Sequence, residues 1–151
     1  MRVLLDTNII IRAAQPNQPF WPDINQALTA LIADGCSLCV VPQNIYEFWV
    51  VATRPEAQNG FGLSPSDTKV LVDGTLGMLT LLKDERGIFD LWRSLVDRYA
   101  VEGKSAHDTH LVAAMHRHSI ANLLTNNKSD FARFPITALT PHELNLGARP
   151  T

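Results

Sequence analysis

Four carboxylates stand along the chain in settings that invite chemistry. Asp6 closes the short apolar run Arg2-Val3-Leu4-Leu5, and Glu47 lies about a turn into an apolar helical segment opened by Pro42. Asp108 shares a helical face with Leu111, Val112 and Met115, and Asp130 follows the apolar run Ala121–Thr125. Each has an ordinary structural use. Asp6 suits a helix N-cap, Asp108 closes a Ser105-Ala106-His107-Asp108 capping box, and Asp130 suits a turn. Glu47 is harder to dismiss, because its i+3 and i+4 neighbours are Val50 and Val51 and its helix has no clean polar face. A carboxylate on an apolar stripe costs on the order of several kcal/mol unless a partner satisfies it. The bases nearby, Arg12, Arg54, Lys104, Lys128 and Arg133, can neutralise one or two acids but hardly four. A hard divalent cation can do so. Mg²⁺ and Mn²⁺ take oxygen ligands, and a bound cation inverts the local sign so that a phosphate can approach. An acidic pocket in a near-neutral chain therefore points to metal-assisted chemistry on a phosphate.

The chain that must position these groups has 151 residues, 46% of them hydrophobic and 19% charged. That is one domain's worth, and a chain of this size buries roughly 68–70% of its unfolded surface. The apolar content excludes disorder. Lys+Arg 13 against Asp+Glu 15 leaves a formal charge of −2, so no long-range attraction to nucleic acid follows from the total. No apolar run approaches the roughly 18 residues of a membrane helix, and Asp6 and Asn8 interrupt any secretory segment at the start. The expectation is a cytoplasmic chain with no membrane contact. Cys36 and Cys39 form a lone pair without the further ligands a zinc site needs, and read as reduced, packed thiols.

Apolar runs alternate with helical patterns from end to end. Strands are expected at Arg2–Leu5, Leu38–Val41, Met78–Leu82, Ala121–Thr125 and Ile136–Leu139. A short helix is expected after Asp6, and a longer one from Trp21 to Asp34, with Gly35 past its end. The helix opened by Pro42 carries Ile45, Phe48, Trp49, Val50 and Val51, which implies deep burial. Ser64-Pro65-Ser66-Asp67 caps another helix, weakened by Gly74 and Gly77. Ile88 to Tyr99, Asp108 to His118 and a short segment from Thr140-Pro141 complete the set. Gln15–Pro19 and Pro55–Leu63 read as mobile loops, and Gly147–Thr151 as a frayed tail after a single domain at 1–146. Strands alternating with helices argue for a parallel sheet covered on both faces, an α/β/α sandwich. The carboxyl ends of its strands share one edge, where ligands bind. Asp6, Glu47 and Asp130 lie near that edge, and Asp108 joins them if its helix begins there.

At these residues the chain resembles the PIN-domain ribonucleases, particularly the VapC-type toxins of bacterial toxin–antitoxin pairs. The matching segments are Val3-Leu4-Leu5-Asp6-Thr7-Asn8, Pro42–Phe48 with Glu47, Ala106–Met115 with Asp108, and Leu123–Phe131 with Thr125, Asn127 and Asp130. The resemblance implies a five-stranded sheet of order 3-2-1-4-5 and a homodimer with a cognate antitoxin. It implies Mg²⁺- or Mn²⁺-dependent cleavage of RNA with one or two ions, held by Asp6, Glu47, Asp108 and Asp130. Asn8, Thr125 and Asn127 would support the site. Some relatives carry an acid where this chain has Asn127, which would weaken a second metal site.

Arg12, Lys104, His107, Lys128 and Arg133 lie on or near the proposed edge as possible RNA contacts. The five histidines lack the spacing of a metal motif and read as surface or packing residues. Trp21, Trp49 and Trp92 read as core. The competing function is a PIN-like module that grips RNA or an antitoxin without cutting; the intact trio Asp6, Glu47 and Asp108 argues against it. A phosphoacceptor domain would need adjacent acids after the first strand, and a D-x-D phosphatase fails because position 8 is Asn.

Overall fold

The computed structural model describes residues 1–151. Five parallel strands, β1 (Arg2–Leu5), β2 (Ser37–Val40), β3 (Thr80–Leu81), β4 (Asn122–Leu124) and β5 (Thr137–Leu139), form one sheet in the order β3-β2-β1-β4-β5. Both the parallel sheet and its order match the expectation. Both faces of the sheet are covered, and side chains alternate strictly between them. Val3, Leu5, Leu38, Val40 and Leu124 enter one core; Leu4, Cys39 and Leu123 enter the other. The same alternation separates Cys36 from Cys39, both free thiols, onto opposite faces.

The first core is covered by α1 (Thr7–Ala13), α2 (Trp21–Ala33), α3 (Pro42–Thr53), α4 (Pro65–Met78) and α7 (Pro141–Asn145). The second lies under α5 (Ile88–Arg98) and α6 (Ser105–Arg117). In α6 the consecutive residues Leu111 to Met115 are all buried. Ala113 and Ala114 in that run let the helix sit close to the sheet, fixing the end that carries Asp108. No helix is long and apolar enough to cross a membrane.

Several local expectations need correction. Helix α3 is not deeply buried: only Asn44, Phe48 and Ala52 are, while Tyr46, Trp49 and Val50 face outward, Val50 at 57% exposure. The wall of apolar residues is one core stripe plus an exposed apolar face. The third strand is only Thr80–Leu81, because α4, capped by Ser64 accepting from the Asp67 amide, runs through both glycines to Met78. The capping box at Ser105–Asp108 does not form. Helix α6 starts earlier, with Lys104 at the N-cap and Ser105 already helical, so Asp108 caps nothing. A reciprocal box forms instead at Thr140 and Glu143.

The segment after α3 is held rather than loose. Phe61, Gly62 and Leu63 amides donate to the Val51, Arg54 and Ala52 carbonyls, and Phe61 meets Phe48 edge-on with centroids 6.2 Å apart. Residues 147–151 lie outside helix and strand but are tied as well. Arg149 pairs with Asp34 and donates to the Leu144 carbonyl, while the Asn122 amide both donates to and accepts from the Thr151 backbone. The return after α3 brings Gly60 against Arg54, where an added Cβ would stand 2.0 Å from the Arg54 carbonyl oxygen. Gly60→Ala is expected to destabilise the chain by about 3 kcal/mol through overpacking against backbone. Thermal unfolding checks this; an unchanged melting temperature would show that the loop is free to move aside.

Candidate active site

The carboxyl ends of β1, β2 and β4 open onto one edge of the sheet, and α6, which leads back into β4, begins at the same edge. A cavity of about 250 Å³ lies there. Asp6, Asn8, Glu47, Asp108 and Asn127 line it, with Thr7 between the acids and Ile11 and Val51 as apolar walls. Asp6 comes from the end of the central strand, Glu47 from the helix layer on one face, and Asp108 from the layer on the other. Asp130 does not line the cavity. It sits exposed on a 3-10 turn, Lys128–Phe131, beyond β4, although its charge still bears on Asp108.

Asp6 is both cap and site residue. Its Oδ1 accepts from the Thr7 amide at 2.8 Å, closing the start of α1. Its Oδ2 accepts from the Thr125 hydroxyl at 2.6 Å and the Asn8 amide at 2.9 Å. Three donors on an acceptor-only group with about four lone-pair positions hold it rigidly and leave one position open. Burial raises its pKa, against the lowering effect of Thr125 and Thr7.

The supporting polar residues are themselves fixed. Thr125 is fully buried; its hydroxyl donates to Asp6 and accepts from the Asn127 amide at 3.0 Å. Asn8 accepts from the Asn126 amide at 3.1 Å, tying the first turn of α1 to the segment after β4.

Asp108 lies in the first turn of α6, half-buried, with its pKa pushed up to about 6. Burial is the largest cause, followed by the charges of Asp6, Asp130 and Glu47, with His107 opposing weakly. No base pairs with any of these acids, since the four ion pairs of the chain lie elsewhere. Of the expected RNA-contacting residues, none lines the cavity. The Arg12 guanidinium lies over the Phe20 ring, Lys128 pairs with Glu143 at 2.6 Å, and Arg133 lies over Phe134. Lys104 and His107 are exposed at the start of α6.

Two positioning features escaped the sequence. Gln43 donates to the His107 carbonyl at 2.9 Å. A carbonyl only accepts, so the other amide atom, Oε1, faces His110 Nδ1 at 2.5 Å and accepts the proton that Nδ1 carries. Gln43 thus straps the helix bearing Glu47 to the helix bearing Asp108. Thr7 is the other, with its hydroxyl 3.2 Å from Glu47 Oε1. Its place beside Asp6 was the available signal; nothing in the sequence announces Gln43.

The donor set is hard oxygen with uncompensated negative charge, which fits a divalent cation. No three His, Cys, Asp or Glu side chains are grouped closely enough to bind one directly. That spacing is compatible with Mg²⁺, which uses one or two carboxylates and keeps several waters.

Solved structures share this architecture. A chain of the VapBC2 complex of Rickettsia felis, bound to a promoter DNA fragment, superposes with a TM-score of 0.68 at 16% identity, over 93% of this chain and 98% of that one. The fold is the PIN-like fold of VapC. A toxin–antitoxin complex from Klebsiella pneumoniae gives 0.64 at 21% identity, covering 92% of this chain and 97% of that one. The sarcin–ricin-loop-cleaving toxin VapC20 of Mycobacterium tuberculosis gives 0.63 at 12% identity, covering 89% and 98%. No family model matches the chain, and no curated protein matches it in sequence.

Because the pKa of Asp108 is raised in the folded chain, the folded state holds that proton more tightly than the unfolded state. Stability from this group is greatest at acid pH and falls as pH rises through about 6. Asp108→Asn removes the repulsion and is expected to raise the melting temperature by about 1–3 °C at pH 7.5, with the gain shrinking towards pH 4.5. A fall at pH 7.5 would mean that Asp108 is held by an attraction instead.

Proposed function

We propose that this chain is a Mg²⁺- or Mn²⁺-dependent endoribonuclease, the toxin of a type II toxin–antitoxin pair. The observation that carries the reading is the meeting of Asp6, Glu47 and Asp108 from three layers in one cavity without a base to neutralise them. Asp6 and Asp108 would hold the cation, Glu47 would complete its surroundings or orient water, and Asp130 would assist from outside the cavity. When bound, such an ion lowers the pKa of water towards neutrality and stabilises charge on a phosphoryl oxygen. Asn127, uncharged and part of the cavity lining, favours one ion over two. The Thr125 and Asn8 bonds favour the charged form of Asp6 against the opposing effect of burial and hold its orientation, so little reorganisation is needed when a phosphodiester arrives. Lys104 and His107, exposed at the rim, are the bases best placed to meet RNA.

The partner reading rests on the VapBC and toxin–antitoxin complexes that share the fold. A separate apolar cavity of about 450 Å³ among α1, α2 and α4, lined by Leu5, Ile9, Ile10, Leu28, Leu71 and Met78, suits an apolar antitoxin segment. The exposed Tyr46, Trp49 and Val50 of α3 offer surface for a second copy.

Cleavage of a labelled RNA pool tests the activity. The chain is expected to cut with Mg²⁺ or Mn²⁺ and not with EDTA, and Asp6→Asn to lose on the order of 100-fold or more. Equal cutting by both proteins, or metal-independent cutting, would refute the assignment; binding without cutting would favour the non-cleaving module.

A further inference from the structure

Thr7 stands between two carboxylates that repel each other. Its backbone N–H donates to Asp6 Oδ1 at 2.8 Å, and its hydroxyl lies 3.2 Å from Glu47 Oε1. The direction of the second bond is set by a residue far away. Asn44 is fully buried in the first turn of α3, and its Oδ1 accepts from the Val41 amide at 2.8 Å. A backbone N–H only donates, so the amide orientation of Asn44 is fixed, and its Nδ2 must face Thr7 Oγ1 at 3.1 Å. A threonine hydroxyl has one proton. With its oxygen accepting from Asn44, that proton is directed to Glu47. Thr7 is only 6% exposed, so little water competes for either bond.

We infer that Thr7 is a positioning residue for Glu47, with the polarity of its hydroxyl set by Asn44. The relay runs from the Val41 amide through Asn44 and Thr7 to the Glu47 carboxylate, joining the start of α3 to the second turn of the same helix by way of α1. It fixes the orientation of the Glu47 carboxyl at the cavity and spaces it from Asp6 through a single residue. Thr7 touches neither substrate nor metal in this role; it acts through Glu47. The inference rests on the proposed cation site, and it concerns how that site is held rather than what it cuts.

The test is Mn²⁺ affinity by calorimetry, measured beside RNA cleavage, for the wild type, Thr7→Val, Thr7→Ser, Glu47→Gln and the double variant Thr7→Val/Glu47→Gln. Thr7→Val keeps the shape and removes the hydroxyl, and is expected to weaken Mn²⁺ binding about tenfold, as loss of a group orienting a ligand does. Thr7→Ser, which keeps the hydroxyl, is expected to stay within about twofold of wild type. The double variant should bind no more weakly than Glu47→Gln alone, because a residue acting through Glu47 has nothing left to hold. A structural contribution of Thr7 would instead add to the Glu47→Gln loss, and additivity would overturn the inference. So would wild-type Mn²⁺ affinity in Thr7→Val. A wild type that binds Mn²⁺ without cutting RNA refutes the nuclease reading and leaves the positioning role standing on the affinities; a wild type that binds no Mn²⁺ refutes both.

Discussion

Asp6 is taken almost wholly out of water at the end of the central strand without a basic partner, and the surrounding architecture makes that tolerable. A buried ion without compensation shifts its equilibrium towards the neutral form, and the raised pKa of Asp6 records that cost. Three donors offset part of it, from the Thr7 backbone, the Thr125 hydroxyl and the Asn8 amide. They come from the strand-to-helix turn after β1 and from the end of β4, so the neighbouring parallel strands must keep their register for the carboxylate to survive. Leu5 opposite Leu124 is that register.

Around this fixed point the two outer layers bring charges of the same sign. Glu47 arrives on a helix packed against one face of the sheet and Asp108 on a helix packed against the other. Alternation along the strands gives each helix its own core, and Gln43 then ties the two helices together across the edge. Apolar packing on both faces thus holds together an electrostatic arrangement that is unfavourable by itself. Such strain is tolerated where a ligand relieves it.

Much of this was legible in the sequence because it is written locally. Arg2–Leu5 ending in Asp6, the helix from Trp21 with Gly35 beyond it, and the Thr140-Pro141 start all carry period or cap signals within a few residues. The cavity acids were legible from carboxylates among apolar neighbours together with the family resemblance. What failed depended on tertiary partners. Tyr46, Trp49 and Val50 are apolar yet outward-facing, since composition gives hydrophobicity but not which side of α3 meets the sheet. Ser105 looked like a cap, but the turn at Gly103-Lys104 starts the helix before it. Asp130 follows β4 as expected, but its short turn carries it outside the cavity. Asn44 and Gln43 act across 37 and 67 residues, a separation at which spacing carries no signal.

The central claim is that acids from three layers share one cation. Crystals grown with Mn²⁺ test it most directly, through anomalous scattering collected near the manganese edge. The account predicts a single strong peak in the cavity, in contact with Asp6 and Asp108 directly and with Glu47 through water. Fully occupied Mn²⁺ elsewhere on the chain, with no peak between those carboxylates, would contradict it.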